Sequence, residues 1–213
     1  MKDEVKNSLE YWENIYKNPI HIENNTDDWL QNFDVIIQTC TTPILDLGCG
    51  NGNDTLYLLQ KGKTVIPCDQ SKNAINNIKS NFPKIKDTKC FNLLDGLPFE
   101  NNEFELIIAD LCLHYFREQD TFRILDDIYD KLKQNGHLLL RVNTVNDVNH
   151  GAGQGKEIGP HLYETKEGTI KRFFDAQDIK YYFKKFDIQY CKEKKMTRYT
   201  RDKMTYCVCV RKK

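Results

Sequence analysis

The succession of strands and helices legible in the chain predicts an α/β fold, a parallel sheet with helices packed on both faces. Two observations carry this. Short apolar runs alternate with helix-length amphipathic segments from residue 44 to residue 142, and that alternation yields a parallel sheet because each helix returns the chain to the starting edge. The run Ile44-Leu45-Asp46-Leu47-Gly48-Cys49-Gly50-Asn51-Gly52-Asn53-Asp54 is an apolar strand with an acid near its end, then three alternating glycines before a helix. Only glycine lets a backbone turn this sharply and also come into contact with a bound ligand.

Val5, Leu9, Trp12 and Tyr16 recur at helical spacing, so residues 3 to 17 read as a helix with one apolar face, followed by a loop containing Pro19. A second short helix is expected over 27 to 38. The alternation then runs as strand 44 to 47, helix 54 to 61, strand 63 to 68, helix 71 to 80, strand 88 to 92, strand 104 to 109, helix 118 to 133 and strand 136 to 142. Several boundaries have chemical causes. Asn53 or Asp54 can cap the first crossover helix and Ser71 the next, while Gly136 follows the amphipathic helix whose Phe122, Leu125, Ile128 and Leu132 turn toward the sheet. Residues 144 to 172 hold Gly151, Gly153, Gly155, Gly159 and Pro160, so a long loop or lid is expected there rather than another element. A helix from 176 to 185 and strands near 186 to 191 and 204 to 210 close the chain.

With 213 residues the chain suits one domain with embellishments, since a domain takes roughly 100 to 200 residues. No apolar run approaches the roughly 20 residues that cross a bilayer, so no membrane partner is expected. The start, Met1-Lys2-Asp3-Glu4, leads into a charged amphipathic stretch without a secretory core, and the cytoplasm is the expected location. Eight cysteines do not read as a disulfide scaffold in a chain that alternates strands and helices. Cys68, Cys90, Cys112, Cys207 and Cys209 read as reduced core residues, because free cysteine packs as a small hydrophobe. Cys207 and Cys209 share one strand face, yet with no second pair and no nearby histidine no metal site is expected. Net charge is zero, which removes the simplest electrostatic case for nucleic acid. The charge is uneven, however: residues 165 to 213 carry 15 basic and 6 acidic side chains, which read first as solvated faces and second as an anion contact.

In a parallel sheet the ligand lies beyond the carboxyl ends of the strands, where the strand order reverses. Four strand ends therefore hold the candidate chemistry. The first offers Asp46, Gly48, Cys49, Gly50 and Gly52. The second, Val65-Ile66-Pro67-Cys68-Asp69-Gln70, presents an acid 21 residues after Gly48 whose carboxylate can accept both hydroxyls of a ribose. After the third comes Asn92-Leu93-Leu94-Asp95-Gly96-Leu97-Pro98-Phe99, where a carboxylate can accept an exocyclic amine while Leu94 covers the ring. The fourth, Phe104 to Asp110, runs on into Leu111-Cys112-Leu113-His114-Tyr115-Phe116. Each alone is ordinary, since glycines, strand-closing acids and Asp-Gly turns occur in many folds; their order at compatible spacings is not.

Asp46 with Gly48, Gly50 and Gly52 resembles motif I of class I S-adenosylmethionine-dependent methyltransferases. With Asp69, Asp95 and Leu97-Pro98-Phe99, the Ile107 to Phe116 segment and Leu132 to Leu140, the resemblance extends over about residues 40 to 145. A dinucleotide fingerprint would place its third glycine where Asn53 stands, so an NAD-dependent dehydrogenase is a poor match. The resemblance implies a Rossmann-like three-layer sandwich with a seven-stranded, mostly parallel sheet and an antiparallel last strand, which suits the C-terminal strand pair. It implies that the glycine loop, Cys49 included, holds the methionine part of S-adenosylmethionine, and that Asp46 fixes this loop through backbone hydrogen bonds or a bridging water. It further implies that Asp69 binds the ribose with Gln70 beside it, that Asp95 and Leu94 hold the adenine, and that Asp110 closes the sulfonium end. Tyr11-Trp12-Glu13-Asn14-Ile15-Tyr16 and the small size resemble the small-molecule branch that includes tellurite-resistance and thiopurine methyltransferases. The Asn/Asp-Pro-Pro-Tyr signature of amino-methylating nucleic-acid enzymes is absent, Asp110 being followed by Leu111-Cys112-Leu113.

The expected organisation is then one methyltransferase domain over 1–213: a helical cap (1–40), a cofactor-binding core (41–143), a substrate loop or lid (144–172), and a C-terminal helix and strand pair (173–213). Methyl transfer from a sulfonium is an in-line displacement, so alignment and exclusion of water dominate and a base is optional. His114 is the first candidate base and His150 the second, each with a packing role as the competing reading. Trp12, Tyr16 and Trp29 either roof the cofactor or join the core. Lys171-Arg172-Phe173-Phe174 and Arg198 set positive charge beside aromatic rings, which suits a carboxylate or phosphate on a small-molecule acceptor. The competing functions are methylation of protein or RNA, supported only by the basic C-terminal quarter, and nucleotide binding without catalysis; monomer and homodimer are both compatible with the sequence.

Overall fold

The computed structural model describes residues 2–18, 28–196 and 198–213, with the side chains of the first helix described from Asn7 onward. The expected Pro19 loop, residue 27 and the side chain of Val5 lie outside the described residues. The strands are β1 (Ile44–Leu47), β2 (Val65–Asp69), β3 (Lys89–Cys90), β4 (Phe104–Asp110), β5 (Leu132–Asn143), β6 (Lys156–Gly159), β7 (Leu162–Glu164), β8 (Ile170–Arg172), β9 (Asp187–Met196) and β10 (Lys203–Arg211). The helices are α1 (Lys2–Ile15), α2 (Asp34–Thr39), α3 (Asn53–Gln60), α4 (Lys72–Asn81), α5 (Glu118–Lys131) and α6 (Ala176–Tyr182).

Seven strands form the main sheet in the order β3-β2-β1-β4-β5-β10-β9. The first five run parallel, and β10 runs antiparallel to both β5 and β9. This is the mostly parallel sheet with an antiparallel last strand that the sequence implied. Its side chains sort by a period of two. Leu45, Leu47, Ile107, Ala109, Leu138, Leu140, Val208 and Val210 pack on one face with Leu125 and Ile128 of α5 and Ile179 of α6. Ile44, Leu106, Ile108, Leu139, Cys207 and Cys209 pack on the other with Trp29, Phe33, Ile37 and Leu58. A sheet apolar on both faces must be covered on both, which makes the three layers. Among the described residues no helix is long and apolar enough to cross a membrane.

Two topological facts position the site. The strand order reverses between β1 and β4, which pair at Leu45 and Ile107, so a crevice opens beyond their carboxyl ends. Because β10 enters antiparallel beside β5, with Thr205 opposite Asn143, the turn between β9 and β10 lies at that same edge. Arg198, Tyr199 and Lys203 thus reach a site built some 100 residues earlier in the chain.

The structure corrects several local expectations. Residues 144 to 172 form a short 3-10 turn, Val148–His150, and a three-stranded antiparallel sheet, β6-β7-β8, instead of a loop. Of the glycines that suggested a loop, Gly151, Gly153 and Gly155 precede the small sheet at positive φ, and Gly159 ends β6. The expected 27 to 38 helix divides into a 3-10 segment, Asp28–Phe33, and α2. Neither Asn53 nor Asp54 caps α3: its N-cap is Gly52 in the left-handed region, and the Asp54 carboxylate instead accepts from the Trp29 indole at 2.9 Å. Ser71 does cap α4, its Oγ accepting from the Ala74 amide at 3.1 Å. Helix α5 stops at Lys131, so Gly136 lies inside β5 and caps nothing. Leu9 is exposed rather than part of a buried stripe on α1. Cys90 is exposed and Cys112 half-buried, so neither is the core residue expected.

Candidate active site

A cavity of about 470 Å³ opens at the carboxyl ends of β1, β2 and β4. It brings together Asp46, Gly48, Cys49, Gly50, Asp69, Gln70, Asp110, His114 and His150 from the sequence-predicted set. Gly52, Leu94 and Asp95 do not line it. Trp12 and Tyr16 do, with Trp12 stacked on Tyr16 at 5.8 Å and edge-on to Tyr115 at 5.4 Å, so α1 roofs the site. Trp29 joins the core instead.

The glycine loop is constrained on three sides. A Cβ on Gly48 would stand 2.5 Å from Cβ of Cys112, and one on Gly50 would stand 2.6 Å from the Tyr16 hydroxyl. At Gly52 it would meet Ile78 of α4 at 2.6 Å, so that glycine serves helix packing. Asp69 holds the loop to α4: its carboxylate accepts from the Gly50 amide at 3.0 Å and the Ser71 amide at 2.9 Å. Burial pushes this carboxyl up to about 6, against the lowering effect of those amides. Asp46 accepts from the Thr55 hydroxyl at 2.5 Å, a side chain of α3 and not the loop backbone. Burial raises it to about 7 despite that bond.

Beyond β3 the wall is Phe91, Asn92 and Leu93. The Asn92 amide donates to Gln70 Oε1 at 3.0 Å while its oxygen accepts from the Leu94 amide at 2.9 Å. Leu94 and Asp95 follow on the 3-10 turn Leu93–Asp95, with Asp95 exposed. Asp110 receives two parallel bonds from Arg141, Nε at 2.7 Å and Nη2 at 2.8 Å, with Arg198 at 3.6 Å. Burial would raise this carboxyl, but Arg141 first, then Arg198 and Lys203, hold it below the usual range. Arg141 itself lies over the Trp29 ring at 4.7 Å.

The remaining wall comes from distant segments. His114 is 1% exposed, its ring 4.2 Å from that of Tyr115, and neither ring nitrogen has a hydrogen-bond partner among the described residues. Burial, with Lys171 and Lys203 adding to it, holds the imidazole well below its ordinary pKa and therefore neutral. His150 Nε2 lies 3.2 Å from the Arg201 carbonyl. Arg172, expected beside an anion, is buried away from the cavity, its Nη1 donating to the Pro160 carbonyl at 2.9 Å and its guanidinium over Tyr182. Sequence reasoning missed Tyr115, Tyr199 and Lys203. The only signal for Lys203 and Tyr199 was the excess of basic residues near the C-terminus.

Strand order, the glycine loop after β1 and the acid ending β2 define the class: the chain has the fold of the class I S-adenosylmethionine-dependent methyltransferase family. Residues 45–140 match the family model described as a methyltransferase domain. The chain is similar to an uncharacterized methyltransferase of Synechocystis, 36% identical over 93 residues that make up 44% of this chain and 43% of that one. It is also similar to tRNA N(3)-methylcytidine methyltransferase of Drosophila melanogaster, 29% identical over 149 residues, 64% of this chain and 46% of that one. A solved structure of a SAM-dependent methyltransferase from Anabaena variabilis shares the fold with a TM-score of 0.71 at 18% identity, over 98% of this chain and 94% of that one. The chain spans under half the length of the two curated relatives. The matched segment is a methyltransferase domain by description, and the solved structure shows that the whole chain shares its fold.

Proposed function

We propose that this protein transfers a methyl group from S-adenosylmethionine to a small-molecule acceptor. The observation that carries the reading is the cavity of about 470 Å³, which joins the glycine loop and Asp69 to a cationic wall. Its size falls in the range of roughly 300 to 1,000 Å³ typical of small-ligand sites. When bound, S-adenosylmethionine supplies an electrophilic methyl on a cationic sulfur, displaced in line by the acceptor's lone pair. The residues fit that group. Gly50 leaves room where any Cβ would meet Tyr16, and Asp69 keeps lone pairs for ribose hydroxyls beyond its two amide bonds. Gln70, Asn92 and Leu93 form the adenine edge, with Leu94 and Asp95 behind them, while Gly48, Cys49 and Asp46 flank the methionine part. Asp110, held charged by Arg141, stands at the sulfonium end. Trp12 and Tyr16 exclude water, and His114 stands ready to hydrogen-bond an acceptor.

A second reading, methylation of RNA, has one specific support: the matched Drosophila relative is a tRNA methyltransferase. The roof that α1 lays over the cavity favours the small molecule. Calorimetric titration with S-adenosylmethionine and with NAD tests the proposal. Binding of the first alone is expected, and Asp69→Ala should weaken it at least about tenfold through loss of charge-assisted bonds. Unchanged affinity in that variant, or binding of NAD instead, overturns the reading; a salt-dependent gel shift with RNA would move the acceptor to the second.

A further inference from the structure

This inference rests on the methyltransferase reading and names its acceptor. The cavity wall carries both signs of charge. Asp46, Asp54 and Asp69 line it from β1, α3 and β2, which suits a cationic methyl donor, while Lys171, Arg198 and Lys203 line it from β8, the turn between β9 and β10, and β10. Two of these cations have carboxylates nearby: Lys203 pairs with Asp147 at 3.0 Å, and Arg198 lies 3.6 Å from Asp110, itself already held by Arg141. Lys171 has no carboxylate within ion-pair distance among the described residues. Its Nζ donates to the His150 carbonyl at 2.9 Å and lies 5.3 Å from the Phe173 ring, which leaves two N–H donors. Next to this sector is His114, buried with both ring nitrogens unpartnered. Buried polar groups in native proteins are nearly always satisfied, so an imidazole left bare in a cavity wall points to a ligand. The surrounding wall is aromatic, with Tyr11, Tyr115, Phe116 and Tyr199.

We propose that this cationic wall is a subsite for a small aromatic oxyacid, whose carboxylate or phosphate is held by Lys171 Nζ and His114 with Arg198 behind, while its ring packs on the tyrosines. An oxyanion there accepts charge-assisted bonds from the ammonium and an N–H from the neutral imidazole. Burial and then Lys203 push the Lys171 ammonium down to about 8, and an arriving anion would raise it again by favouring the charged form. The acceptor's charge is then complementary to the donor's.

The test titrates the protein saturated with S-adenosylhomocysteine with benzoate, phenyl phosphate, inorganic phosphate and the neutral analogue benzamide. At least one of the two aromatic anions should bind about tenfold or more tighter than benzamide. Lys171→Met should abolish that preference with S-adenosylhomocysteine affinity kept within about twofold, and Lys171→Arg should retain it. Equal binding of benzoate, phenyl phosphate and benzamide, or an undiminished preference in Lys171→Met, overturns the subsite. Inorganic phosphate binding as tightly as phenyl phosphate overturns the aromatic part. Failure of S-adenosylhomocysteine to bind would strike the methyltransferase reading alone, because the comparison of benzoate with benzamide can be repeated without it.

Discussion

Gly48 and Gly62 both have positive φ, +67° and +74°, but a Cβ on Gly48 would run into Cys112 whereas one on Gly62 would meet nothing within 4 Å. Substitution by alanine therefore separates two costs. Gly62→Ala should lose only the left-handed backbone penalty of about 1 to 2 kcal/mol. Gly48→Ala adds a backbone shift against the segment after β4 and should cost at least about 1 kcal/mol more. Urea denaturation of the two variants checks this, and equal losses would show that the loop has slack. At this scale the sequence was informative where backbone geometry dictates residue type, as at Gly48 and Gly50, and where an acid must end a strand, as at Asp69. It could not say whether Asn92 or Asp95 lines the cavity, because that depends on the 3-10 turn Leu93–Asp95, and Asp-Gly alone does not specify that turn.

Glu13 anchors helix α1 over the cavity. Glu13 accepts from the Ser71 hydroxyl at 2.8 Å and from the Lys72 and Asn73 amides at 2.9 and 3.1 Å. Those amides open α4 and lack partners within the helix, and a carboxylate there also meets the positive end of the helix dipole. Asn73 and Asn77 donate back to the carbonyls of Glu13 and Tyr16, each at 3.0 Å. Glu13→Ala should therefore cost about 1 to 2 kcal/mol of stability and speed hydrogen exchange across α1. It should also weaken S-adenosylmethionine binding several-fold by loosening Trp12 and Tyr16. Unchanged exchange in α1 would show that the aromatic contacts hold the roof without it. The helix itself was legible from its spacing, but its docking was not, since Glu13 reads as one more surface acid until α4 is placed. The β6-β7-β8 sheet was hidden for another reason. Its strands are three or four residues long with exposed side chains in β6, too short to show a period of two.

Across the whole molecule, the buried acids of the site set a pH dependence. Folding raises Asp46 to about 7 and Asp69 to about 6, both by burial, from an ordinary 3.8. Between about pH 4 and 7 the folded state therefore binds more protons than the unfolded one, and stability contributed by these groups falls as pH rises through that window. Asp110 and Glu13, lowered on balance, act the other way and lose their contribution as pH falls below the ordinary carboxylate range, and so does His114, held neutral by burial, as pH falls below its ordinary 6.5. The unliganded protein should thus be most stable in mildly acid solution. Asp46→Asn should raise the melting midpoint at pH 8 by about 3 °C or more and change it little near pH 4. A wild-type midpoint that climbs steadily to pH 8 in calorimetry would contradict this. The period-two apolar runs, the glycine spacing and the strand-ending acids by themselves determined the three-layer fold and the glycine-loop wall of its cavity, because each depends on neighbours within a few residues. The cationic wall of the cavity was decided only in three dimensions. Inserting β10 antiparallel beside β5 and folding β8 against the His114 carbonyl, which accepts from the Arg172 amide at 2.7 Å, brings Lys171, Arg198 and Lys203 to strands that precede them by scores of residues, and no local pattern encodes a contact of that span.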